Sequence, residues 1–327
     1  MKNKARFWNK VYRKINWFLF RKLDAEKWGY LFYASYRHRN HVPKEGADPR
    51  TVYMTQIPNE GAGIGHQLAN YISGYHYSKM FSVPFAYPGF RDKDWEEFLG
   101  FGENEVSIRE LKKRGYKFRR IPYFNGKEKS IELTKKIVAS YAGEKVILCT
   151  ELHQFYANQY EEIPHIKYKF ESAEIRKKDS LIFRPEELNV AIHIRRGDIV
   201  IGQESGEQGL TKRWLTMDYY TDIAKGISEK TEKKPHFYIF SQGTESEYKV
   251  FEKYGKVTYC LDMLERESFL HMVRADILVM SKSSFSYNPA LLSDGIRICP
   301  SEFWHGYPSD EKWIIVDEVT RQKKSTS

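Results

Sequence analysis

The chain has 327 residues, 41% hydrophobic and 15% aromatic, which excludes disorder along its whole length and leaves room for two domains of ordinary size. Its formal net charge of +10 is concentrated at one end: residues 1–23 hold eight of the 53 lysines and arginines and no acid, leaving 45 bases against 43 acids elsewhere. A body so close to neutral removes the main support for nucleic-acid binding through a broad positive surface.

No run of about 18 apolar residues exists, so no transmembrane helix is expected. The apolar stretch at the start is too short and too interrupted by charge for a secretory signal. Cys149, Cys260 and Cys299 are far apart, each in an apolar strand-like run. Without a C-x-x-C pairing they suggest neither zinc nor a disulfide framework, and buried thiols in a reducing cytoplasm fit best.

In chain order, the arm comes first. Phe7, Trp8, Val11, Tyr12, Ile15, Phe18 and Leu19 fall along one side of a helical wheel, with Arg6, Lys10, Arg13, Lys14 and Arg21 mainly on the other. A basic amphipathic helix rich in aromatics suits the interface of an anionic membrane, or packs on the main domain with a solvated basic face. Residues 38–50 read as a linker, so residues 1–50 are set apart from an amino-terminal domain at 51–180 and a carboxy-terminal one at 181–327.

Thr51–Ile57 reads as a strand, Pro58–Gly65 as a loop with three glycines, and His66–Met80 as a helix. This unit is the expected opening of a doubly wound domain. Gly61, Gly63 and Gly65 lack G-x-G-x-x-G spacing, so the signal for a dinucleotide is weak. Physically the loop brings backbone N–H groups and a helix start close to an anion or sugar, or simply makes a tight connection. Strands follow at Val83–Tyr87, Lys117–Pro122 and Lys145–Leu152, with helices at Lys127–Ala142 and Ile166–Lys178.

Beyond that the alternation is cleaner. Strands are expected at 189–195, 236–241, 256–261, 276–281, 296–299 and 313–317. Helices are expected at 217–230, 244–254, 265–274 and 284–293. Strands alternating with helices give an α/β fold with parallel sheets covered on both faces.

Two stretches carry chemistry. In Asn189-Val-Ala-Ile-His-Ile-Arg-Arg-Gly-Asp198 an apolar strand delivers His193, Arg195, Arg196 and Asp198 to its carboxyl end. Ligands of open α/β sheets bind there, and a guanidinium fork suits a phosphate. Alternation along the strand sends Arg195 and Arg196 opposite ways, one to a ligand and one to the protein. The same tetrapeptide also occurs as a solvated turn closed by an Arg–Asp pair. In Ala275–Tyr287 a strand runs through a serine-rich turn into a helix that Ser283 or Ser284 can cap. Its positive dipole end makes an anion site, or an ordinary cap. Asp262, after strand 256–261, offers a carboxylate to the N–H edge of a guanine or caps the next helix.

These stretches resemble the bacterial α-1,2-fucosyltransferases, within the wider superfamily that includes the α-1,6- and protein O-fucosyltransferases. Gly61-Ala-Gly-Ile-Gly-His-Gln-Leu is similar to that family's glycine-rich motif. His193-Ile-Arg-Arg-Gly-Asp198 matches its H-x-R-R-G-D signature, and Asp262 to Ser286, ending in Ser283-Ser-Phe-Ser, matches its D…N-S-S-F-S segment. His66 and Lys282 stand where the family usually has asparagine, and Tyr287-Asn-Pro replaces a Trp-rich continuation.

The resemblance implies two Rossmann-like domains of GT-B type and a GDP-β-L-fucose donor. Transfer to a glycan or lipid-linked oligosaccharide would proceed with inversion, without metal or other cofactor. It implies Arg195 on the β-phosphate, Arg196 in support, His193 and Asp262 on the guanosine, and Ser283, Ser284 and Phe285 around the donor, with Gly63, Gly65 and His66 from the first motif. Glu204 lies near the offset of a glutamate in the α-1,6 relatives and is the candidate base, with Asp198 and Glu207 as rivals. Alternatives are a transferase of the same fold using another GDP-sugar, or a non-catalytic nucleotide- or glycan-binding protein.

Overall fold

A computed structural model describes residues 48–58, 61–122, 128–150, 160–196, 213–261 and 263–317, with residues 7, 8, 10–12, 14, 15, 18, 32 and 33 of the arm. The chain divides into two compact units. One holds residues 1–96 and 101–162, the other residues 97–100 and 163–327. The division falls after Glu162, whereas the sequence reading draws it at residue 180. Residues 163–180 therefore group with the second unit.

The first unit contains strands β1 (Val52–Gln56), β2 (Lys117–Arg120) and β3 (Val146–Thr150), in the order β1-β3-β2 and all parallel. Its helices are α1 (Ile64–Met80), α2 (Lys93–Leu99, which ends in the other unit), α3 (Ile108–Lys113) and α4 (Glu128–Ala139). Alternation sends Val52, Met54 and Leu148 to one face, against Tyr77 of α1, Phe81 just after it, and Ile137 and Val138 of α4. Ile147 faces the other side, against Ile108 and Leu111 of α3. The expected strand at Val83–Tyr87 forms only single bridges, Met54 to Phe85 and Tyr87 to Ser107. Pro84 and Pro88 lack the N–H groups that a continuous ladder needs.

The second unit contains α5 (Ile163–Ser172), β4 (Leu188–His193), α6 (Met217–Lys230), β5 (Pro235–Phe240), β6 (Lys256–Tyr259), α7 (Glu265–Arg274), β7 (Ile277–Val279), α8 (Ser284–Leu292), β8 (Ile296–Pro300) and β9 (Trp313–Val316). Its sheet runs β6-β5-β4-β7-β8-β9, parallel throughout. Val190 and Ile192 pack with Phe237, Ile239 and Val279 against Tyr220, Ile223 and Ala224 of α6. Both expectations of alternating strands and helices in parallel sheets are met.

Two details differ. The helix expected at 244–254 is a pair of 3-10 turns, Glu245–Glu247 and Lys249–Lys253. Tyr248 between them has φ −113°, its ring is buried and its hydroxyl hydrogen-bonds the Gln242 carbonyl and Ser241 Oγ, so the chain is pinned where a helix would continue. The helix expected over Ile166–Lys178 starts earlier and stops at Ser172, with a 3-10 turn at Glu174–Lys178.

The described arm residues from Phe7 to Phe18 are helical, with Phe7, Trp8, Ile15 and Phe18 exposed. No helix among the described residues is long and apolar enough to cross a membrane. All three cysteines are free and buried, and burial pushes the Cys260 thiol up to about 12, which leaves it a poor nucleophile.

Candidate functional site

From β4 the chain winds outward twice. It passes through β5 to β6 on one side, then returns to β7 and continues through β8 to β9 on the other. The switch point therefore lies between β4 and β7, and the crevice beyond their carboxyl ends is where open α/β sheets take ligands. Both chemical stretches of the sequence end there.

The strand extension beyond β4 is held from both sides. Ser241, after β5, donates to the Ile194 carbonyl at 2.7 Å, and the Arg195 N–H donates to Ser281 Oγ, after β7, at 2.9 Å. Ser281 Oγ itself donates to the His193 carbonyl at 2.7 Å. With its one proton used, it accepts from the Tyr220 hydroxyl, 2.7 Å away.

On that pinned extension alternate side chains diverge. His193 and Arg195 face α8: the imidazole centroid lies 5.5 Å from the Phe285 ring, and Arg195 Nη1 donates to Ser283 Oγ at 3.1 Å. Arg196 turns the other way, its guanidinium 4.2 Å from the Trp214 ring and donating to the Arg195 carbonyl at 3.1 Å. Ser283 is the cap of α8, accepting the Phe285 N–H at 3.2 Å. A guanidinium and the positive end of a helix dipole thus share one serine hydroxyl, an arrangement whose chemistry suits an anion.

His193 is buried, and its Nδ1 has no hydrogen-bond partner among the described residues. Burial, with the charge of Arg195 beside it, lowers its pKa from 6.5 to about 3, so the ring is neutral near pH 7. The unfolded histidine takes a proton below about 6.5 while the folded one stays neutral to about 3. The unfolded state therefore binds more protons in that window, and stability falls as pH drops, by up to about 1.4 kcal/mol per pH unit. His193→Gln removes this dependence. The gap in unfolding free energy between wild type and variant, read by urea titration, should narrow from pH 7 to pH 4.5, and a gap independent of pH contradicts the assignment.

Along the β5–β6 end lies a cavity of about 510 Å3, lined by Gly243 and Thr244 after β5 and by Cys260, Leu261 and Met263 after β6. Asp262 belongs to that loop but lies outside the described residues, as do Gly197, Asp198, Glu204 and Glu207. Beyond β8, the Trp304 indole donates to His305 Nε2 at 3.0 Å, and Ser284 Oγ lies 3.2 Å from the same nitrogen. Lys282 is buried, its Nζ 4.0 Å from exposed Glu302.

The structure therefore brings together His193, Arg195, Ser283, Ser284 and Phe285, and directs Arg196 to Trp214. Gly63, Gly65 and His66 open α1 in the first unit. Among the described residues of that loop only Gly61 takes the left-handed region, at φ +79°, and Gly63 is the N-cap of α1. Ser281, Tyr220, Trp304 and His305 were not singled out from sequence. Ser281 sits in the serine-rich string, yet its role depends on partners 86 and 61 residues away.

Among the described residues, one group has the donor set for a metal ion: His76, Glu161 and Glu162, in the first unit. Lys79 Nζ lies 3.0 Å from both Glu162 oxygens, so an ammonium already neutralises that carboxylate.

No protein-family model matches the chain, and no curated protein matches it. Among solved structures it is similar to POFUT1 in complex with GDP-fucose, with a TM-score of 0.45, 14% identity, and coverage of 83% of this chain and 99% of that one. It is likewise similar to POFUT1 in complex with GDP, with a TM-score of 0.45, 15% identity, and coverage of 84% and 99%.

Proposed function

We propose that this chain is an inverting glycosyltransferase of GT-B type that moves fucose from GDP-β-L-fucose to a hydroxyl of a glycan acceptor. The observation that carries the reading is the convergence of Arg195 and the start of α8 on Ser283 at the switch point of the second sheet. The sequence resemblance supplies the donor and the α-1,2 linkage to galactose in surface polysaccharide synthesis.

Transfer from a nucleotide sugar places negative charge on the departing diphosphate. Arg195 and the α8 dipole are positioned to stabilise that charge as it develops, a preorganised contribution that needs no metal. Arg196, stacked on Trp214, supports the strand extension. The guanosine is assigned to neutral His193, Asp262 and the cavity between the ends of β5 and β6, and Phe285 packs beside His193. The acceptor proton is assigned to Glu204, with Asp198 and Glu207 as rivals.

The test is a thermal-shift series with GDP, GDP-fucose, GDP-mannose, UDP-galactose and NAD. A ligand bound only by the folded state stabilises it by about 2.7 kcal/mol at a hundred times its Kd. GDP and GDP-fucose should raise the melting temperature. Response to GDP-mannose alone keeps the site and changes the sugar, and no response to any guanine nucleotide removes the transferase reading.

The arm is proposed to hold the enzyme on an anionic membrane surface. The exposed Phe7, Trp8, Ile15 and Phe18, next to eight cations in residues 1–23, support this placement. Full-length protein should sediment with phosphatidylserine vesicles in low salt, and deletion of residues 1–23 should release it. A truncated form that still sediments assigns the attachment elsewhere.

A further inference from the structure

We propose that Trp304 is the stacking platform for the pyranose ring of the donor sugar. This inference rests on the donor reading above and adds the place where the transferred group sits.

Single exposed aromatics are ordinary on protein surfaces, so exposure alone says nothing. Trp304 combines three properties. The residue is 52% exposed. It is also immobilised: the indole N–H is tied to His305 Nε2, the Phe303 ring centroid lies at 4.5 Å, and the Arg213 guanidinium lies 5.1 Å from the ring. Thirdly, it is tethered to the anion site. An indole N–H only donates, so His305 Nε2 carries a lone pair, and the Ser284 hydroxyl that shares this nitrogen belongs to the first residue of α8. Two hydrogen bonds separate the indole nitrogen from the residue next to the Arg195 partner.

Strand order gives the direction. The cavity assigned to the base lies at the β5–β6 ends, and the diphosphate corner lies between β4 and β7. Two strand spacings, about 10 Å, separate them, the length of a nucleoside. A nucleotide sugar laid along this edge continues beyond the phosphates towards β8, and Trp304 follows β8. The indole face is electron-rich and attracts the partly positive C–H edges of a pyranose, while a ring already fixed in place loses little entropy on binding. A 6-deoxy sugar, whose C5 substituent is a methyl group, suits such a face better than one carrying a hydroxymethyl.

The experiment is calorimetric titration of the full chain with GDP and with GDP-fucose, for wild type, Trp304→Ala and Trp304→Phe. GDP should bind all three alike within about twofold, while GDP-fucose should bind Trp304→Ala about tenfold more weakly and recover most of that in Trp304→Phe. Unchanged GDP affinity also reports that the variant's site is folded. Equal loss for both ligands assigns the indole to the nucleotide or to loop structure, and no loss for either removes the platform. A raised acceptor KM with unchanged GDP-fucose affinity assigns it to the acceptor ring. If wild type binds neither ligand, the donor reading itself falls and takes this inference with it.

Discussion

Arg195→Ala should lower the rate of sugar transfer by about 10²–10³-fold, as loss of one preorganised charge-stabilising donor does in other enzymes. It should also abolish the thermal shift with GDP. Arg195 is the one residue of the double arginine directed at α8, its Nη1 3.1 Å from Ser283 Oγ. Its partner Arg196 is 9% exposed and lies against Trp214. The two substitutions should therefore separate. Arg195→Ala costs activity with the melting temperature of the free protein nearly intact, whereas Arg196→Ala lowers that temperature first. Arg195→Lys should recover little, because an ammonium cannot present the planar fork. Near-normal turnover in Arg195→Ala removes this residue from the diphosphate.

Ser281→Ala should destabilise the second unit by about 2–4 kcal/mol, since it withdraws one hydroxyl from three groups and each buried polar group deprived of a partner costs about 1–3 kcal/mol. Ser281 is fully buried and holds the Arg195 N–H, the His193 carbonyl and the Tyr220 hydroxyl at 2.7–2.9 Å. Tyr220→Phe removes only the third of these and should cost less than half as much. Denaturant unfolding of both variants decides the matter. If Ser281→Ala and Tyr220→Phe cost the same, the clamp on the β4 extension contributes nothing. GDP affinity should fall in Ser281→Ala as well, because the clamp sets where Arg195 leaves the strand.

Much of the fold was legible because burial and backbone period coincide. The run Val190-Ala-Ile-His193 alternates between two covered faces, so it reads as a buried strand, and the opposite directions of Arg195 and Arg196 follow from a period of two. The turn at Ser283 was legible for the same reason, as a strand meeting a capped helix. Val83–Tyr87 misled because its apolar side chains promise a strand while Pro84 and Pro88 deny it the ladder. Residues 244–254 misled because Tyr248 is fixed by Ser241 and Gln242, a tertiary constraint that helix periodicity does not contain. Ser281 and the Trp304–His305–Ser284 chain could not be found from spacing, because each joins elements distant in sequence. Asp198, Glu204 and Asp262 lie outside the described residues, so their assignments still stand on resemblance.

The double winding of the second sheet has a consequence for the protein while it is being made. Arg195 and the Ser283 hydroxyl that it meets are 88 residues apart in the chain. A growing polypeptide therefore carries its most recognisable signature long before the corner exists. Until β7 arrives, β4 is an edge strand whose Val190, Ala191 and Ile192, all wholly buried in the finished fold, have an open hydrogen-bonding side. An unpaired apolar edge of that kind is a template for pairing with the wrong chain. A product cut short before residue 277 would keep every letter of the His-x-Arg-Arg-Gly-Asp string and still lack the serine that Arg195 meets.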